Sequence, residues 1–168
     1  MKIKKILCSE CMTGFYMDDK EAIKGGAKSD GFVYRGAPVT PGFRTIRQPG
    51  VAVSVIFVFE NGDFAYGDCA VAQYAASGGR EVPNTAKALI GLIEKYVVPY
   101  FEGADITEFK KTAEDFDRRL FDGVQLPASI RYGVTQAILE TVAKEKKVTM
   151  SEVILEEYGL PVDLTPVR

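Results

Sequence analysis

The sequence predicts an α+β domain, in which a small antiparallel β-meander is followed by a bundle of about three to four helices. Three observations support this fold class. Residues 51–69 form a β-hairpin pattern around Asn61-Gly62, the second half of the chain has apolar residues at helical spacing, and the strands precede the helices. This order is expected when helices pack on one face of a small antiparallel sheet.

The hairpin is the clearest element of the first half. Residues 51–60 are apolar and largely β-branched, and residues 63–69 return as the second strand. The Asn61-Gly62 dipeptide favours a type I′ turn, in which both central residues have positive φ. The first strand is apolar on both of its alternating faces, which predicts a central strand that is covered on both sides.

The segment before the hairpin is expected to contain one strand and then loops. Residues 2–12 alternate weakly, which indicates an opening strand. Residues 14–50 contain Gly25-Gly26, Pro41-Gly42 and Pro49-Gly50, which favours loops and short extended pieces. Such a long stretch without regular structure is uncommon in a compact domain unless it is a functional loop.

Four helices are predicted after the hairpin, over residues 83–103, 105–123, 129–146 and 149–158. Gly133 lies inside the third of them, where glycine costs up to ~1 kcal/mol relative to alanine. A close contact with a neighbouring helix or sheet would explain it. The first helix is predicted from apolar residues at helical spacing: Leu89, Ile93, Tyr96 or Val97, and Tyr100. Capping boxes are predicted at the start of two other helices, Asp105 with Glu108 in the second helix and Thr149 with Glu152 in the fourth.

Composition and charge exclude several classes of function. The 168 residues have a net charge of −2 and no basic excess, so neither nucleic acid nor an anionic membrane is an expected partner. The longest apolar run is far below the ~20 residues that span a bilayer, and the start does not resemble a signal peptide. Three cysteines without framework spacing favour a reducing cytoplasm. The absence of histidine excludes Ser-His-Asp and Cys-His catalysis within the chain.

No motif in the chain predicts a complete catalytic or metal site. Cys8 and Cys11 have C-x-x-C spacing but lie in the predicted strand rather than at a helix start, so a structural role is expected. Residues 25–29 are not a phosphate loop, because alanine stands where that motif requires glycine. Asp18 and Asp19 lie in the glycine-rich region and are not easily dismissed as solvated surface.

The polar loop after the hairpin is the main functional candidate from the residues alone. The stretch VAQYAASGGR combines small residues with Gln73, Tyr74 and Arg80. Small residues let the backbone approach a ligand closely, and loops on a rigid scaffold often carry function. An ordinary connector to the next helix is the alternative.

Several stretches resemble the amino-terminal domain of methylaspartate ammonia-lyases. They are TGFYMDD, GFVYRGAPVTPGF, IRQPG, YGDCAVAQYAASGGR, IRYGVTQAILETVAK and VTMSEVI, and the resemblance covers essentially the whole chain. The family belongs to the enolase superfamily, so the resemblance implies an enolase-like capping domain over residues 1–160. Residues 161–168 would then begin the linker to a barrel domain that lies outside these 168 residues.

The resemblance also implies a function. These enzymes reversibly eliminate ammonia from 3-methylaspartate to give mesaconate, using a base and Mg²⁺ to form an ene-diolate. In the family the base and the metal ligands lie in the barrel, so no catalytic or metal-binding residue is expected in this chain, and the chain alone is expected to be inactive. The family pattern implies that Gln73 contacts the substrate, that a barrel domain or subunit is the partner, and that the complete enzyme is a homodimer. A free-standing amino-acid-binding module and an assembly module without catalysis are the alternatives.

Overall fold

A three-stranded antiparallel sheet organises the protein, whose computed structural model describes residues 1–71 and 81–161. The first, fourth and fifth strands form this sheet with the fourth in the centre, while the remaining strands form two small hairpins. The strands are β1 (Ile3–Asp18), β2 (Lys28–Asp30), β3 (Val33–Arg35), β4 (Arg47–Phe59), β5 (Phe64–Ala70), β6 (Leu120–Phe121) and β7 (Val124–Gln125).

Most of the helices follow the sheet in the chain, as the sequence predicts. The helices are α1 (Lys20–Lys24), α2 (Ala86–Leu92), α3 (Val98–Phe101), α4 (Phe109–Arg118), α5 (Ala128–Lys146) and α6 (Met150–Tyr158), with a π-helical turn at Ile93–Val97 between α2 and α3. Apolar side chains of these helices and of the sheet form one core. The α+β prediction is therefore confirmed.

The hairpin of β4 and β5 is present, but its turn differs from the predicted type. Val53 pairs with Cys69 and Val58 with Phe64. Gly62 has a φ of 87°, whereas Asn61 is not among the described non-glycine residues with positive φ. A type I′ turn would need positive φ at both residues, so that prediction is wrong. Two hydrogen bonds close the connection instead: the amide of Phe59 donates to the carbonyl oxygen of Asp63, and the amide of Gly62 donates to that of Phe59. Within this connection only Gly62 takes the left-handed conformation.

β4 is the central strand of the sheet, as predicted, but among the described residues helices cover only one face of it, which corrects the prediction that both faces are covered. Val53, Val55 and Phe57 are completely buried under the helices. On the other face Leu7 and Tyr66 are 44% and 51% exposed, because the described helices pack on the opposite side. We call this second surface the open face; it consists of the outward side chains of Leu7, Ser54, Ile56, Val58, Phe64 and Tyr66.

Helix α5 packs on β5 at very short range. A Cβ atom on Gly133 would lie 2.6 Å from the amide nitrogen of Cys69, and this close contact explains the glycine inside the helix. Side chains of α5 also accept hydrogen bonds from the backbone amides at the outer edge of β5. The amide of Asp68 donates to Oε1 of Gln136 at 3.0 Å, and the amide of Tyr66 donates to Oε2 of Glu140 at 2.7 Å. The prediction of a close helix–sheet contact at Gly133 is confirmed.

A helix boundary agrees with the predicted one where the capping residues lie close together in the sequence, as in α6. Thr149 and Glu152 form the predicted capping box of α6, and Gly159 ends that helix with a φ of 62°. The predicted box of Asp105 and Glu108 does not form. Glu108 makes no side-chain capping bond, and Asp105 instead forms an ion pair with the Met1 amino group at 2.9 Å.

The carboxylate that caps α4 comes from elsewhere in the chain. The amides of Phe109 and Lys110 donate to the two oxygens of Glu157 at 3.0 and 2.6 Å. Helix α4 also ends at Arg118, five residues before the predicted end at residue 123. Leu120 therefore lies in β6 and is 60% exposed.

The glycine-rich region is more ordered than the sequence indicates. Strand β1 continues to Asp18 and β4 already begins at Arg47, so both strands extend into the predicted loop. Between them lie α1 and the small β2–β3 hairpin. Gly50 permits this extension, since a Cβ atom there would lie 2.9 Å from the carbonyl oxygen of Phe15.

Candidate functional site

The long connections leave the sheet at one end. Asp18 at the end of β1 pairs with Arg47 at the start of β4, and Ala70 at the end of β5 pairs with Ala52 further along β4. Antiparallel pairing therefore places residues 19–46, and the point where the chain leaves β5 at Val71, at the same end of the sheet. We call this region the loop end, and it is our candidate functional site.

Arg47 joins the sheet to the β2–β3 hairpin at the loop end. Its Nε and Nη2 atoms donate to the two oxygens of Asp18 at 2.7 and 2.8 Å, in a bidentate pair. Its Nη1 atom donates to the backbone oxygen of Phe32 at 3.0 Å. The hydrogen bond to Asp18 raises the pKa of Arg47 above its ordinary value, so the guanidinium stays charged.

Asp19 organises the rest of this segment and is completely buried. One carboxylate oxygen accepts from the amides of Val39 and Thr40 at 2.7 and 2.9 Å, and the other accepts from the Thr40 hydroxyl at 2.6 Å. The second oxygen also caps α1 through the amide of Ala22. Burial alone would raise the pKa of Asp19, but the hydrogen bonds from Thr40, Val39 and Ala22 outweigh it and lower that pKa. Both aspartates therefore have structural partners.

The second connection is fixed to its surroundings just after residue 80. Both oxygens of Glu81 accept from the amide of Ala128, at the start of α5, at 3.0 and 3.2 Å. Pro83 is buried and lies against Gly42, where a Cβ atom would come within 2.8 Å of the Pro83 oxygen. The two connections therefore touch each other.

The predicted substrate contact, Gln73, lies outside the described residues, as do Tyr74 and Arg80. Their role therefore stays a prediction. Within residues 1–71 and 81–161, no three His, Cys, Asp or Glu side chains are grouped so as to hold a metal ion.

The C-x-x-C pair lies within β1, as predicted. Cys8 and Cys11 are paired with Val55 and Ala52 of β4 and point to opposite faces of the sheet. Burial, together with the charge of Glu94, raises the pKa of Cys8 to about 11, and burial raises the pKa of Cys69 to about 12. Both thiols are protonated at neutral pH, which suits packing and not nucleophilic chemistry.

Sequence reasoning did not find Arg47, Thr40 or Glu81. Their partners lie 29, 21 and 47 residues away, so no local motif marks them. The one available signal was the Asp18-Asp19 pair in a glycine-rich segment, which the sequence analysis did not dismiss as solvated surface but for which it predicted no partner.

Comparison with known proteins places the chain in a family. Residues 1–159 match the family described as methylaspartate ammonia-lyase N-terminus. The chain belongs to the methylaspartate ammonia-lyase family. It is 50% identical to the methylaspartate ammonia-lyase of Clostridium tetanomorphum over 99% of its length, and 36% identical to that of Haloarcula marismortui over 99%. It spans 41% and 40% of these two relatives, so about two fifths of their length.

Solved structures of this family have the same fold. The magnesium complex of β-methylaspartase from Clostridium tetanomorphum matches 99% of the chain and 40% of its own length, with a TM-score of 0.95 and 50% identity. The Citrobacter amalonaticus methylaspartate ammonia-lyase with (2S,3S)-3-methylaspartic acid matches 96% of the chain and 39% of its own length, with a TM-score of 0.91 and 43% identity.

More distant structures confirm the enolase-like fold expected from the family resemblance. The L-Ala-D/L-Glu epimerase of Bacillus subtilis matches 87% of the chain with a TM-score of 0.51 at 14% identity. The muconate cycloisomerase of Pseudomonas fluorescens matches 90% with a TM-score of 0.51 at 12% identity.

Among the described residues, no helix is both long and apolar enough to cross a membrane.

Proposed function

We propose that this chain is the capping domain of a methylaspartate ammonia-lyase, which reversibly eliminates ammonia from 3-methylaspartate to give mesaconate. The supporting observation is the 50% identity to the Clostridium tetanomorphum enzyme over 99% of the chain but only 41% of that enzyme. Residues 1–160 form the domain and residues 161–168 begin the linker. A carboxy-terminal barrel, as a domain or a separate subunit, is the partner.

The described side chains are consistent with a catalytic base and a metal site that lie in the barrel and not in this chain. Its buried thiols have raised pKa values, and Asp19 is committed to loop hydrogen bonds. As the family resemblance implies, the base that takes the proton next to the substrate carboxylate is assigned to the barrel. Mg²⁺, which is present in the Clostridium tetanomorphum complex, would supply Lewis acidity and is likewise assigned to the barrel.

This chain then acts by covering the barrel and contacting the substrate. Both long connections leave the sheet at the loop end, and we assign this surface to the active site. Gln73 would reach the polar groups of the substrate there, because a neutral amide can donate and accept without adding charge. Closing the site also excludes water, which strengthens the electrostatic interactions inside it.

A chimera tests the function directly. Residues 1–161 would be joined to the carboxy-terminal three fifths of the Clostridium tetanomorphum enzyme, and ammonia loss would be followed by the absorbance of mesaconate. We expect the chimera to be active with 3-methylaspartate and magnesium, and to be a homodimer by light scattering. This chain alone and the carboxy-terminal part alone are the controls, and both should be inactive.

Two results would contradict the proposal. One is a folded chimera without activity, and the other is turnover by this chain alone in a preparation free of host lyase. Calorimetry of this chain with 3-methylaspartate covers the alternative, since tight binding without the barrel would indicate a free-standing amino-acid-binding module.

A further inference from the structure

The β2–β3 hairpin is an exposed element at the loop end. All three residues of β2 are exposed, and in the turn and the third strand Phe32 and Val33 are 60% and 52% exposed. The hairpin forms its own two-stranded sheet and is not paired with β1, β4 or β5. Two-stranded hairpins are marginally stable alone in water, so its position must depend on contacts with its surroundings.

Arg47 supplies several of these contacts at once. Its guanidinium carbon lies 5.1 Å from the ring centre of Phe32, in the hairpin turn, and 5.0 Å from that of Tyr34, in β3. The same group donates to the Phe32 backbone oxygen and to both oxygens of Asp18. A planar guanidinium can stack and donate in several directions, whereas a lysine ammonium cannot reproduce this geometry.

The Arg47 contacts leave part of Phe32 free. Tyr16 packs edge-on against the Phe32 ring, with ring centres 4.7 Å apart, yet most of the ring remains accessible. Val39, in the segment fixed by Asp19, is also 65% exposed. The loop end therefore presents apolar side chains on a frame that two carboxylates, Asp18 and Asp19, already hold in place.

We propose that Arg47 is a positioning residue, which fixes the β2–β3 hairpin so that Phe32 and Val33 pack against the carboxy-terminal part of the enzyme. This inference rests on the proposed function. The choice of partner follows from length and place: the chain spans 41% of its Clostridium tetanomorphum relative, and the hairpin lies at the end where both long connections leave the sheet. A hairpin ordered before association loses less conformational entropy on binding, which strengthens the contact.

The chain provides a matched control for Arg47. Arg131 is 21% exposed, against 23% for Arg47, and it also pairs with an aspartate, Asp117, at 2.5 Å. Like Arg47, it donates to a backbone oxygen, that of Leu126. It lies on α5 and makes no described contact with the hairpin. Arg131→Lys therefore measures the cost of weakening an Arg–Asp pair with an equally buried arginine, although Asp117 is 48% exposed against 11% for Asp18.

The first experiment compares Arg47→Lys with Arg131→Lys. We expect Arg47→Lys to speed amide hydrogen exchange in residues 28–35 by about tenfold or more, because lysine loses the bidentate and stacking contacts. In the chimera it should lower kcat/KM by about tenfold, since misplaced positioning elements slow catalysis. Arg131→Lys should change both quantities less than twofold. Equal effects of the two variants, or no effect of Arg47→Lys, would overturn the inference.

A second pair of variants tests the contact if Arg47→Lys does not fold. Phe32→Ser removes the exposed ring from the hairpin, and Phe64→Ser removes a similarly exposed ring, 49% accessible, from the open face. Each ring also lies beside a cationic group, that of Arg47 or that of Lys144. Only Phe32→Ser should weaken binding of residues 1–161 to the separate carboxy-terminal part, by about tenfold. Equal weakening by both, or by neither, would contradict the inference.

The same measurements separate this inference from the proposed function. If the wild-type chain neither binds the carboxy-terminal part nor forms an active chimera, the proposed function fails, and this inference fails with it. If the wild type is active and the Arg47 and Phe32 variants match their controls, only the inference about the hairpin is wrong.

Discussion

Gly67 of β5 and Gly133 of α5 meet backbone to backbone. A Cβ atom on Gly133 would lie 2.6 Å from the amide nitrogen of Cys69, and one on Gly67 would overlap the Gly133 oxygen. This contact sets the height of α5 above the sheet. It also brings Gln136 and Glu140 within hydrogen-bonding distance of the edge of β5.

Gly133→Ala should destabilise the protein although alanine favours helices. The added methyl group overpacks the contact with Cys69, which typically costs about 1–3 kcal/mol in the free energy of unfolding. Gly91→Ala in α2 is the matched control, since a Cβ atom there meets nothing within 4 Å. That variant should gain about 0.5–1 kcal/mol from helix propensity. Urea unfolding measures both, and a stabilised Gly133→Ala would show that the two backbones do not touch.

Glu140→Ala should cost more than an ordinary surface substitution. Glu140 accepts from the amide of Tyr66 and pairs with Lys144 four residues on, at 3.2 Å. Glu114 also pairs with a cation four residues on, Arg118, but within the described part of the chain it accepts no hydrogen bond from a strand. We expect Glu140→Ala to lower the free energy of unfolding by about 1–2 kcal/mol and Glu114→Ala by less than ~0.5 kcal/mol.

The Glu140 variant should also associate more readily. The freed amide of β5 would be part of an unpaired strand edge, which can pair with a second chain. Size-exclusion chromatography at increasing concentration checks this. If the Glu140 and Glu114 variants had the same stability and the same tendency to associate, the proposed role of the Glu140 contact with the edge of β5 would be contradicted.

Asp19 should make the stability of the protein sensitive to acid. Its folded-state pKa is lowered by hydrogen bonds, so its contribution is complete above the unfolded pKa of about 3.9 and is lost as the pH falls through the lower folded value. Asp19→Asn should be less stable at pH 7 and should lose less further stability below about pH 4. Asp115→Asn, at an exposed position of α4, is the control. Urea unfolding from pH 7 to pH 3 measures the slopes, and equal slopes for the wild type and Asp19→Asn would refute the prediction.

Gln73→Ala should affect catalysis and not folding. We expect the unfolding midpoint of the chain to change little, as for a surface substitution worth less than ~0.5 kcal/mol. In the chimera, loss of a hydrogen bond to a charged group, about 1.5–3 kcal/mol, would reduce kcat/KM roughly 10- to 100-fold or change the preferred amine. Gln125→Ala, at an exposed residue of β7, is the control. A large loss of stability with unchanged kinetics would mean that Gln73 is structural.

Features that depend on neighbours in sequence were predictable. The α6 capping box joins residues three apart, the β4–β5 hairpin has a short connection, and the predicted third helix differs from α5 by one residue at its start. Gly133 could be interpreted as well, because a glycine inside a helix carries a cost that a close contact explains. In each case the deciding interaction is local or is marked by an unusual residue.

Features that depend on tertiary partners were not predictable. Asp105 and Glu108 fit a capping box, but the Met1 amino group binds the first, and Glu157 supplies the cap of α4 from 48 residues beyond Phe109. The same holds for Asp18 and Arg47, which only the register of β1 and β4 brings together. The open face of the sheet was missed because apolar alternation in β4 does not tell how many layers cover it.

The order of the strands has a consequence for how the chain folds. β4 and β5 are joined by a connection of a few residues, whereas β1 reaches β4 only across residues 19–46. Closing a loop roughly seven times longer costs about 1.7 kcal/mol more in chain entropy, before any contact of β1 is made. The β4–β5 hairpin should therefore form early. β1 should join late, after Asp19 has formed its hydrogen bonds with Val39 and Thr40 in the intervening segment. The strand that leaves the ribosome first would be the last to join the sheet.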